Sequence, residues 1–131
     1  SIPRLIGHRG AARHAPENTL SGMRTGALQG ALWVEVDVKI TRDGVPILMH
    51  DDDVDRTSDG HGLVADMDFA DIRRLDAGSW FGPDFKGEPV PTLAEAIQAA
   101  TLLDINLNLE IKPCPGRDEQ TAGIALSMAL N

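Results

Sequence analysis

The sequence predicts an α/β fold built on a largely parallel sheet, and three observations predict it. Strand-like and helix-like stretches alternate along most of the chain. Two strand-like stretches each divide into an apolar and a polar face. The residues richest in chemistry (His8, Asp37, His50 and Glu110) fall near strand C-terminal ends, where α/β sheets carry function. The organising stretch is Trp33–Thr41. At a period of two, Val34, Val36, Val38 and Ile40 share one face, and Trp33, Glu35, Asp37 and Lys39 the other. Asn106–Lys112 repeats the design, with Leu107, Leu109 and Ile111 opposed to Asn108, Glu110 and Lys112.

In chain order, Arg4–Gly10 reads as a short strand entering a glycine turn. Leu20–Gln29 has helical spacing at Leu20, Met23, Ala27 and Leu28, with Pro16 near its start and Gly30 at its end. After the organising strand, Arg42-Asp43-Gly44 marks a turn, and Val45–His50 is a further strand delivering His50 to its end. The connection between these two strands is too short for a parallel crossover. They form either a hairpin or one longer βα excursion. From Asp51 to about Pro91, frequent Asp, Gly and Pro leave only Phe69–Leu75 as a helical stretch. Such a segment within a compact domain reads as an insertion or a functional lid. Thr92 followed by Glu95 is a capping box opening a helix through Ala94, Ile97, Gln98 and Leu102. A last helical stretch spans Arg117–Leu130.

The 131 residues, 42% hydrophobic, suit one domain. A net charge of −8 without a basic stripe argues against nucleic acid as a partner. An anionic substrate would be repelled unless a bound cation reversed the local field. The chain shows no membrane-length apolar run and no signal-peptide pattern. Cys114 is the only cysteine and reads as a small packing residue. Together these features predict a cytoplasmic protein without a transmembrane segment.

Glu35 and Asp37 are about 7 Å apart along one strand face, and such a pair repels unless solvent, a proton or a cation intervenes. With Glu110 they form an all-oxygen donor set, which suits Mg²⁺ or Ca²⁺, with Mn²⁺ a third candidate, over a thiolate-type zinc site. The competing reading pairs these carboxylates with Arg9, Lys39 and Lys112. His8 and His50, flanking one centre, could act as acid and base near neutral pH. Arg9 and Lys112 could bind phosphate, one as a fork and the other as a point charge. His14 and His61 read as surface residues.

The stretches GHRGAARHAPENT, VEVDVKITRDGVPILMHDDDVDRTSDGHG, LDAGSWFGPDFKGEPVPTLAEAI and NLEIKP, in this order, resemble the glycerophosphodiester phosphodiesterase family. Several separated motifs in register make the resemblance specific. It implies a TIM-type (β/α)₈ barrel with a small insertion after the third strand, here about 53–91. It also implies metal-dependent hydrolysis of glycerophosphodiesters to glycerol 3-phosphate and an alcohol. By the same resemblance Glu35, Asp37 and Glu110 are the metal ligands, His8 and His50 the acid–base pair, and Arg9 and Lys112 the phosphate contacts. Glu17, in the PENT stretch, would orient its neighbours.

A barrel of this kind needs about 250 residues, so the resemblance implies that the 131 residues form one partial barrel domain, about its first half, ending after a fourth strand and helix. Open strand edges then predict a homo-oligomer completing the half-barrel. Two alternatives stand beside this reading. One is a related phospholipase D of the sphingomyelinase D type, from which the GSWFGPDFKGEPVPT stretch points away. The other is a non-catalytic half-barrel acting as a binding or oligomeric scaffold.

Overall fold

The computed structural model describes residues 6–8 and 13–111. In order these form β1 (Ile6–His8), α1 (Leu20–Leu28), β2 (Trp33–Ile40), β3 (Pro46–Leu48), α2 (Phe69–Arg73), α3 (Leu93–Leu103) and β4 (Asn106–Ile111), with 3₁₀ turns at Val64–Asp66 and Pro83–Phe85. The expected Arg117–Leu130 helix and Cys114 lie outside the described residues. Among the described residues, no helix is long and apolar enough to cross a membrane.

β2 is the centre of the sheet, and its two-faced sequence explains why. Val34, Val36, Val38 and Ile40 are all buried, each contributing about 1.5–3 kcal/mol of apolar burial. A one-residue slip would send all four to the face that carries Asp37 and Lys39, which fixes the register. Against the apolar face pack Met23 of α1 and Leu93, Ala96 and Ala100 of α3. α1 is capped by Thr19, whose hydroxyl accepts from Gly22 N at 3.0 Å and donates to Pro16 O at 2.8 Å. α3 opens with the anticipated capping box: Glu95 N donates to the Thr92 hydroxyl at 3.0 Å, and Thr92 N to the Glu95 carboxylate at 2.9 Å.

β4 runs parallel to β2 from Trp33↔Asn106 to Val38↔Ile111. β1 is also parallel to β2, pairing Ile6↔Trp33 through His8↔Glu35. β3 is antiparallel to β2, pairing Ile40↔Pro46 through Val38↔Leu48. The hairpin alternative is therefore the observed one. The expected count of four barrel-type strands is corrected accordingly: among the described residues three strands are parallel, and β3 is a short reversal after β2. The cause is the connection of five residues, 41–45, closed by Thr41 N donating to Val45 O and Gly44 N to Thr41 O, which is too short to cross the sheet.

Since β4 occupies one edge of β2 at residues 33–38, β1 and β3 share the other. They approach each other along that edge, β1 from below and β3 from above. Their ends bring the backbones of His8 and His50 to the stretch around Glu35–Asp37. Met49 N donates to Asp37 O at 3.0 Å, continuing the β3 ladder toward that point.

The segment after β3 is more ordered than its composition suggests. Val54, Val64 and Ile72 are fully buried, and with Ile47, Met49, Ala77 and Val90 they form a second core. A bridge at Asp53↔Leu63 closes a loop within it, and one at Ile47↔Thr92 ties its far end to β3. The anticipated helix at Phe69–Leu75 is present as Phe69–Arg73, and Arg73 ties it to Glu95 of α3 at 2.6 Å. Glu88 accepts from Ser21 N at 3.2 Å and from the Ser21 hydroxyl, joining the insertion to the first turn of α1. Within GSWFG, a Cβ on Gly78 would lie 1.9 Å from the Phe85 carbonyl oxygen, so only glycine fits that crossing.

Candidate active site

The polar face of β2 meets that of β4 in register. Asp37 and Glu110 are Cα partners, as are Glu35 and Asn108. Partners on adjacent strands lie about 5 Å apart and project to the same side. Asn108 Nδ2 donates to Glu35 Oε1 at 3.2 Å. The three predicted carboxylates thus share one sheet face but differ in setting: Asp37 is buried, Glu35 half-buried and Glu110 exposed. Lys39, expected as a competitor for them, is buried and bonds Asp52 instead, at 2.5 Å.

Asn18, which sequence reasoning passed over, holds Asp37 in place. Its amide nitrogen donates to Asp37 Oδ2 and its carbonyl accepts from Asp37 N, both at 3.0 Å and both buried. The residue has φ 55°, a left-handed conformation that asparagine tolerates better than most side chains. Its position just before the Thr19 cap and its residue type were the available signal.

Glu17, expected to orient its neighbours, forms a double hydrogen bond with Arg56 of the insertion. The buried carboxylate accepts from Arg56 Nη1 at 2.9 Å and from Nη2 at 3.0 Å. The same guanidinium grips Asp51, through Nε to Oδ2 at 2.9 Å and Nη2 to Oδ1 at 3.0 Å. Asp51 Oδ1 in turn lies 2.7 Å from His50 Nδ1. The Arg56 guanidinium holds the Asp51 carboxyl well below the usual carboxylate range against its partial burial, and His50 adds to the effect. Asp51 and then Glu17 push the Arg56 pKa up against its own burial. A narrow cavity reaches this centre, lined by Glu17, Asn18, His50 and Thr57 among others.

The structure therefore places Glu35, Asp37 and Glu110 on one face, with the His8 backbone paired to Glu35. The backbone leading to His50 passes Asp37 through Met49 N, and the His50 side chain contacts Asp51. Arg9 and Lys112 lie outside the described residues. His14 and His61 are exposed, the latter paired with Asp55 at 3.0 Å. In donor type, three carboxylates on adjacent strands fit a hard divalent cation. Among the described residues, no group of three acidic, histidine or cysteine side chains is already gathered as a cation site.

The sequence model of the glycerophosphoryl diester phosphodiesterase family matches residues 8–130. The chain is 42% identical over 108 residues to a glycerophosphodiester phosphodiesterase of Caldanaerobacter subterraneus, covering 82% of this chain and 44% of that protein. It is 47% identical over 106 residues to a human glycerophosphodiester phosphodiesterase, covering 79% and 31%. Among solved structures, a phosphodiesterase of Oleispira antarctica in complex with the product sn-glycerol-3-phosphate superposes with a TM-score of 0.96 at 42% identity, covering 99% of this chain and 53% of that one. A glycerophosphodiester phosphodiesterase of Agrobacterium tumefaciens gives 0.84 at 35% identity, covering 98% and 54%. The chain spans less than half the length of these curated relatives. With 123 consecutive residues matched, 8 through 130, the chain belongs to the glycerophosphoryl diester phosphodiesterase family.

Proposed function

We propose that this chain supplies the first part of a (β/α)₈ barrel that hydrolyses glycerophosphodiesters to glycerol 3-phosphate and an alcohol. The observation that supports the reading is the convergence of β1 and β3 along one edge of β2, which brings the backbones of His8 and His50 to the stretch around Glu35–Asp37. The product named in the complex of the Oleispira relative is the product expected here.

In the mechanism this supports, one histidine takes a proton from the attacking hydroxyl of the substrate or of water, and the other protonates the leaving alcohol. His50 presents Nε2 for this work, since Nδ1 is engaged by Asp51. Arg9 and Lys112 bind the phosphoryl oxygens. Glu35, Asp37 and Glu110 would hold one divalent cation, Mg²⁺ or Ca²⁺, which when bound offsets negative charge on the phosphate. Asn18 and Asn108 orient two of these carboxylates.

A steady-state assay with glycerophosphocholine, with and without a chelator, tests this directly. Release of glycerol 3-phosphate that stops on chelation and returns with added Mg²⁺ or Ca²⁺ supports it. Absence of release in the presence of either ion contradicts it.

A further inference from the structure

We infer that Arg56 is a positioning residue: by clamping Asp51 against His50, it keeps the imidazole proton on Nδ1 and leaves Nε2 as the atom that exchanges protons. This rests on the reading of His50 as an acid–base group and adds a cause for its orientation.

Asp51 directly follows His50 in the chain, and its side chain is 26% exposed. Without an anchor, a carboxylate so placed would rotate among staggered conformers in solvent. Arg56 removes that freedom with two parallel bonds, at 2.9 and 3.0 Å, a geometry that only the planar guanidinium provides. The guanidinium is itself fixed from the other side by Glu17, again through two bonds. Glu17 is 7% exposed and adjoins Asn18, which grips Asp37. One guanidinium therefore spans from the segment that holds Asp37 to the carboxylate that holds His50.

An ionised Asp51 can only accept, so the 2.7 Å contact requires the proton on His50 Nδ1. Which nitrogen of a histidine is protonated is set by the bond its other nitrogen makes. A ring held in the wrong tautomer loses turnover even with its geometry intact. Arg56 comes from the insertion, whose own buried core fixes its backbone, so the insertion has a defined part in the site that its composition does not suggest.

The test reads the tautomer itself, through nitrogen-15 shifts of the His50 ring in the 131-residue chain, at a pH where the ring is neutral. The unsubstituted chain should show the proton on Nδ1. Arg56→Ala should move a substantial part of the signal to the Nε2-protonated form. Asp51→Asn, which can offer an amide donor to Nδ1, should reverse the tautomer while preserving shape. Arg56→Lys keeps the charge and loses the fork, so it should fall between Arg56→Ala and the unsubstituted chain. Arg42→Ala, which breaks the exposed pair with Asp68, should change nothing. In turnover of glycerophosphocholine, Arg56→Ala should lower kcat about tenfold or more with KM nearly constant. An Nε2 proton in the unsubstituted chain, or an unchanged tautomer in Arg56→Ala, overturns the inference. A chain without turnover but with the expected tautomer shifts would instead count against the phosphodiesterase reading and leave the clamp standing.

Discussion

Asn18 and Asp37, nineteen positions apart, close a ring of two buried hydrogen bonds of 3.0 Å each. The amide of a residue on the approach to α1 thereby fixes the carboxylate at the centre of β2. Asn18→Ala should destabilise the protein by about 2–4 kcal/mol, from the lost bonds to a charged group and from alanine in a left-handed conformation. Asn18→Asp, which tolerates that backbone, should still destabilise by setting two carboxylates together. Urea unfolding measures both, and a change under about 0.5 kcal/mol in Asn18→Ala would deny the ring its structural weight.

The depressed pKa of Asp51 fixes the sign of a pH effect. A carboxyl more acidic in the folded state than its unfolded value of about 3.9 contributes stability in full above about pH 5. That contribution is lost as pH falls toward the folded value. The unsubstituted protein should therefore lose more stability than Asp51→Asn between about pH 5 and pH 3. Parallel curves for the two proteins would show that Arg56 does not stabilise the ionised carboxylate.

Ile72 is fully buried in the core of the insertion. Ile72→Ala should cost about 2–5 kcal/mol and lower the main melting transition, as expected of a segment packed into the domain. A lid that opens independently would instead show a separate low-temperature step, with the main transition unmoved.

For the acid–base assignment, His50→Ala should lower kcat by about 10²–10⁴ while metal affinity and far-UV dichroism persist. Near-normal turnover would remove His50 from the chemistry.

Much of this arrangement was legible from local pattern. The faces of β2 follow from its period of two, and the capping box of Thr92 and Glu95 is written in four residues. The shared face of Asp37 and Glu110 followed from parity on two strands. What escaped were the partners set by the chain's long-range path. Arg56 meets Glu17 across 39 positions, and no spacing rule links them. The direction of β3 was one of two open alternatives, settled by the length of the turn before it. The insertion looked weakly structured because its core is assembled from single apolar residues (Val54, Val64, Ile72) scattered among turns, without helical or strand periodicity.

The carboxylate face shared by β2 and β4 is the centre of the proposed site. Calorimetric titration of the unsubstituted chain, Asp37→Ala and Glu110→Ala with Mg²⁺ and Ca²⁺ probes it most directly. One divalent ion should bind per chain, with affinity reduced tenfold or more in each variant, about 1.4 kcal/mol. Equal affinity in all three proteins would contradict a cation site on that face.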